Sequence, residues 1–198
     1  MIGYGDLDAY GFHTLETMFA MIERRKGGES GIAAVEMLEG DAVWRWRDSD
    51  AGSWSKALLT EGLVRQPKPP SGDWEKLVKR PALFLLNYRD GLRGCCYMLN
   101  GAASNWSFAA RAQGQEKLLS CSFGLPDRSR PLPHFDGLVW AMEEMFWRGR
   151  PIYPVERTLL STGALAFLFE SRRAGRKVET PELAIQYRAP QQAFYQKS

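Results

Sequence analysis

In the first part of the chain Phe12, Leu15, Phe19 and Ile22 recur at helical spacing, which predicts a helix from about Asp8 to Lys26. Arg24, Arg25 and Lys26 fall in its last turn, where cations meet the negative end of the helix dipole, and Gly27 and Gly28 supply the stop. That basic run reads as a helix end, not as a ligand site. The period then drops to two. Ile32 to Leu38 and Val43 to Arg47 are strand-like, the second with Trp44 and Trp46 opposite Val43, Arg45 and Arg47, and Glu39-Gly40-Asp41 between them predicts a hairpin. Ser53 caps a helix through Leu63 with Trp54, Leu58 and Leu59 facing inward, and Pro67, Pro69, Pro70 and Gly72 mark an irregular connection.

The middle of the chain carries the clearest strand signals. Ala82 to Tyr88 and Leu92 to Leu99 are apolar runs joined by Arg89-Asp90-Gly91, while Asn105 to Ala112 and Lys117 to Phe123 follow as two more, which predicts an antiparallel meander. Beyond a loop from Pro126 to Pro133 the helical period returns. Phe135, Leu138, Val139, Met142 and Phe146 mark a helix ending near Gly149, and a second runs from Val155 to Ala174 with Gly175 as its stop. Glu182 to Arg188 alternates Leu183, Ile185 and Tyr187 as a final strand, and the tail from Pro190 is polar.

Sequential strands with helices gathered at both ends of the chain predict one α+β domain over residues 1–198: a predominantly antiparallel sheet with helices packed on one face. Trp44, Trp46, Trp106 and Tyr97 projecting from such a sheet need a cover, so the other face is expected to be available for oligomerisation. There is no internal repeat.

Composition narrows the partners. With 44% hydrophobic and 25% charged residues the chain matches an ordinary globular protein. A mean hydropathy of −0.35, no long uncharged apolar run, and no basic-then-apolar leader after Met1 point to a cytoplasmic protein with no membrane partner. Its 26 Lys and Arg are matched by 23 Asp and Glu spread along the chain, so no phosphate-binding field and no nucleic-acid partner are expected. Cys95, Cys96 and Cys121 make no disulfide framework, and the adjacent pair reads as core filling on the two faces of a strand.

Candidate chemistry is sparse. Gly3-Tyr4-Gly5 has Asp8 where a dinucleotide turn needs its third glycine, and no strand is expected before it. A P-loop, a zinc-type cysteine pair with flanking histidines, and a nucleophile with a paired base are all absent. His13 lies in the first helix with Glu16 three residues on, a spacing that puts both on one face where a carboxylate could orient an imidazole. An ordinary helix histidine and a proton-transfer group are both consistent with that spacing. His134, at the start of a helix, reads as a capping or packing residue.

Pro133-His134-Phe135 through Glu143-Glu144-Met145-Phe146-Trp147-Arg148-Gly149-Arg150-Pro151, then Tyr153 through Gly163 and Glu170 through Val178, follow a pattern of helix, basic-Gly-x-Pro turn, long helix, Ser-x-x-x-Gly and strand. The whole chain thereby resembles the C-terminal half of the Gfo/Idh/MocA-like NAD(P)-dependent oxidoreductases, which act mainly on sugars, cyclitols and related polyols. Gly11-Phe12-His13-Thr14-Leu15-Glu16 is similar to the helix that opens that family's second domain, although Ala9 stands where the family usually has an Asp.

The resemblance implies His13 as a catalytic residue beside a nicotinamide, with Tyr10 and Glu16 in the wall of the substrate cleft. It also implies a large sheet whose exposed face makes homo-oligomer contacts. The family's Gly-rich nucleotide-binding domain and catalytic lysine have no counterpart here, so no cofactor is expected on this chain alone. NAD(P) is implied for the full-length enzyme, of which this chain would be either a gene fragment or one half of a split enzyme completed by a separate Rossmann-domain chain. The alternative is a non-catalytic, self-associating module that binds a sugar or a partner protein.

Overall fold

The computed structural model describes residues 1–124 and 135–190. The elements in chain order are β1 (Ile2–Gly3), α1 (Ala9–Ile22), β2 (Ile32–Glu39), α2 (Asp41–Asp48), α3 (Ser55–Val64), a 3₁₀ turn (Trp74–Leu77), β3 (Ala82–Tyr88), β4 (Arg93–Met98), β5 (Trp106–Ala110), β6 (Leu119–Phe123), α4 (Asp136–Arg148), α5 (Val155–Ala174), β7 (Val178–Glu179) and a second 3₁₀ turn (Pro181–Leu183). The class is α+β, built on a seven-stranded sheet in the order β6-β5-β1-β4-β3-β2-β7. All pairings are antiparallel except that of β1 with β4.

The expected meander is therefore two hairpins with a strand between them. β3 and β4 turn through Gly91, whose φ of 85° suits a residue without Cβ, and β5 pairs with β6. β1 lies between β4 and β5, with Ile2 opposite Tyr97 on one side and Ser107 on the other. Two residues followed by a glycine-rich loop carry no periodicity, so sequence reasoning missed this strand.

Helices cover both faces of the sheet, which corrects the expectation of one. On one face α1 and α5 bury Leu15, Met18, Phe19, Leu160 and Leu168 against Val35, Phe84, Leu86, Cys96 and Met98. On the other, Val43 of α2 and Leu59 and Leu63 of α3 meet Ile2, Leu83, Tyr97 and Leu99, with Trp44, Trp46, Trp54 and Trp74 around them. The face expected to hold a second subunit is thus filled from within by the tryptophans that seemed to demand one. Cys95 and Cys96 point into opposite cores, and all three thiols are free.

Other elements also differ from their sequence reading. Residues 41–48 form α2 and not a strand, because Gly40 at φ 60° reverses the chain and Asp41 stands in the first turn; eight residues fit either period. Arg47 there lies over Trp44 and pairs with Asp48 and Glu75. Ser53 does not cap α3; its hydroxyl donates to the Asp50 carbonyl, while Ser55 bonds the Tyr97 hydroxyl at 2.7 Å. Leu183 and Tyr187 do face inward, but Pro181 has no N–H for a ladder, and only the Glu29 to Tyr187 bridge forms. Arg24 and Arg25 lie past α1 and donate to the carbonyls of Ala20 and Ile22, so the basic run does finish the helix. The Pro126 to Pro133 loop, His134 and the tail beyond Pro190 lie outside the described residues. Among those described, no helix is long and apolar enough to cross a membrane.

Where α1 crosses β1, a Cβ on Gly3 would lie 2.2 Å from Thr14 Oγ1. Gly3→Ala is expected to push α1 off the sheet and cost about 1 to 3 kcal/mol. The melting temperature should fall by several degrees, and an unchanged value would refute the close approach.

Candidate functional site

α1 leaves β1 through a short loop and presents one side to β5. Thr14 Oγ1 donates to the Tyr10 carbonyl at 2.7 Å and accepts from Trp106 Nε1 at 3.0 Å, which locks the indole of β5 to the helix. Tyr10 stacks on Trp106 with centroids 5.8 Å apart and planes 15° from parallel, and Tyr4 leans on the same indole at 4.8 Å. The exposed His13 ring stands edge-on to this pair, 6.1 Å from Trp106 and 6.2 Å from Tyr10. The arrangement is a packed aromatic cluster with an imidazole at its rim.

Glu16 is not part of that rim. Its carboxylate and its carbonyl both accept from Arg157 of α5, and no bond joins it to His13. Arg157 also reaches the buried Glu23 at 2.9 Å, which accepts in addition from the Tyr187 hydroxyl at 2.9 Å. Burial opposes the guanidinium charge, but the two carboxylates outweigh it and hold Arg157 above its ordinary pKa. Burial, and then the Glu23 charge, raise the Tyr187 hydroxyl. The structure thus joins His13 to Tyr10 and places Glu16 in a separate charged network. Sequence reasoning missed Arg157, although a cation in the first turn of a helix, at the positive end of its dipole, signals a partner elsewhere.

A cleft of about 530 Å³, within the range of small-molecule sites, lies beyond Phe123, and neither Tyr10, His13 nor Trp106 lines it. Trp106 is the cross-strand partner of Phe123, and Phe123 lines the cleft with Ala20, Met21 and Arg24, the Arg157 guanidinium, Tyr153, and Leu138, Trp140 and Ala141 of α4. A second hollow of about 300 Å³ lies beside Trp54, Leu58, Arg93 and Tyr97, where the tyrosine hydroxyl is already taken by Ser55. Among the described residues no three His, Cys, Asp or Glu side chains gather as a metal site.

The loop between β1 and α1 does have the strand, glycine and helix order of a dinucleotide turn, which corrects the expectation that no strand precedes it. Its residues still do not fit a pyrophosphate. Asp6 Oδ1 accepts from the Ala9 amide at 2.8 Å, Asp6 and Asp8 set negative charge at the helix start, and the Tyr10 ring fills the space over Gly5. Compared with family models, with curated proteins and with solved structures, the chain finds no match.

Proposed function

We propose that this chain is the substrate-binding and self-associating domain of a Gfo/Idh/MocA-like oxidoreductase acting on sugars or polyols, with the dinucleotide held outside these residues. The observation that supports this reading most is His13 at the rim of the Tyr10 and Trp106 pair. A polyol lays a C–H face on aromatic rings and offers its hydroxyls at the edge, where an imidazole accepts or returns a proton. NAD(P) supplies hydride acceptance to such enzymes when bound. His13 would hold the hydroxyl proton, Tyr10 and Trp106 would set the orientation of the ring, and Glu16 would act at one remove by fixing Arg157 in the cleft wall.

The test is saturation-transfer NMR of the purified chain with myo-inositol, D-glucose and D-xylose. At least one is expected to take saturation on its C–H protons, with Trp106→Ala losing the effect and His13→Ala weakening it severalfold while circular dichroism stays unchanged. Binding that survives Trp106→Ala, or no saturation of any of the three, would overturn the assignment.

A further inference from the structure

No residue of α4 is buried, yet the helix carries Leu138, Met142 and Met145 on one stripe, exposed by 46%, 48% and 38%, beside Phe146 at 79% and Trp147 at 88%. Against that stripe the turn into α5 leaves a groove of about 340 Å³, closed on its far side by Tyr153 and Val155. Taking about 200 Å² for a large side chain, these seven residues at their fractional exposures leave about 800 Å² of mainly apolar surface. A soluble monomer exposes about 300 to 600 Å² in its largest patch, and each partner of a stable complex buries about 800 Å².

The sequence of α4 is complementary to itself when reversed. Leu138 and Phe146 lie equally far on either side of Met142, as do Asp136 and Arg148, the latter also paired with Glu144 of its own helix. Two antiparallel copies would set apolar against apolar and acidic against basic residues, with their helix dipoles opposed. Both sheet faces are already filled, which leaves this helix as the broad apolar surface among the described residues.

We infer that α4 is the interface between two copies of this chain, paired antiparallel about a two-fold axis at Met142. The pairing makes specific the self-association in the proposed function; it shares Leu138 with the wall of the larger cleft and includes none of Tyr10, His13 and Trp106. Sedimentation equilibrium up to about 100 μM should give twice the 22.4 kDa chain mass. Met142→Glu and Phe146→Asp should each return the monomer with an unchanged circular dichroism spectrum. In a Cys121→Ser background, Met142→Cys should form a disulfide-linked dimer under air while Leu119→Cys, at the opposite end of β6 from Phe123, does not. A monomer at the highest concentration, a dimer indifferent to Met142→Glu, or no Met142→Cys cross-link would each overturn the interface. Saturation transfer to a polyol is read through Trp106 and His13, outside α4, so failure of the interface and failure of the polyol site give different results.

Discussion

Arg157→Met is expected to destabilise the fold by about 3 to 5 kcal/mol, since it leaves Glu16 without its cation and the buried Glu23 with only the longer ion pair to Arg24 at 3.4 Å. The Glu23 side chain is 5% exposed and that of Glu16 22%, and both face a guanidinium that is itself 15% exposed. Methionine keeps most of the stem packing, so the loss reports charge more than volume. Chemical denaturation at neutral pH measures it. The double variant Arg157→Met with Glu23→Gln should recover a large part of the deficit, because an amide accepts the Tyr187 hydroxyl without bringing an unpaired charge. Additive losses in that cycle would mean that the two residues act separately and that the network is not a unit.

Alkali is expected to unfold the protein earlier than an ordinary chain of its size. Burial pushes the Cys96 thiol from its usual 9 up to about 12, and the same cause raises Cys95, Tyr88, Tyr97 and Tyr187. Each group is favoured neutral in the folded state. Its stabilisation is whole below the unfolded pKa and is lost as pH climbs toward the folded one. For Cys96 the window runs from about 9 to about 12 and removes about 1 kcal/mol per pH unit, with the tyrosines adding their own losses above about 10. Several kcal/mol therefore disappear by about pH 11, out of the roughly 5 to 15 that hold a domain together. Denaturant midpoints followed from pH 7 to 11 should fall steeply above 9, with tyrosinate absorbance rising together with unfolding. Cys96→Ala should flatten the part between 9 and 10, and an unchanged slope there would assign the loss to other groups.

The elements legible in the sequence are those whose cause is local. α5 runs from Val155 to Ala174 as expected, since its stop is a glycine that takes φ 63°. Gly91 likewise turns the β3 hairpin by its own conformation. What was illegible depends on partners far along the chain. β1 is a strand because Tyr97 and Ser107 lie on either side of Ile2, and residues 41–48 are helical although their alternation equally suits a strand. The site divides in the same way. The nearness of Tyr10 to His13 follows from helix geometry, whereas the diversion of Glu16 to Arg157 spans 141 residues and is a product of α5 lying across α1.

The place of β1 in the sheet has a kinetic consequence. Its hydrogen-bonding partners on β4 lie about 95 residues downstream, with the Tyr97 amide donating to the Met1 carbonyl and the Leu99 amide to that of Gly3. The β3–β4 and β5–β6 hairpins need only short loop closures and are able to form first, leaving unpaired the edges of β4 and β5 that β1 will join. Until the first residues of the chain arrive between them, those edges are free to pair with the same edges on another molecule. Refolding yield should therefore fall with protein concentration, and a two-residue strand decides whether the sheet closes on itself or on its neighbours.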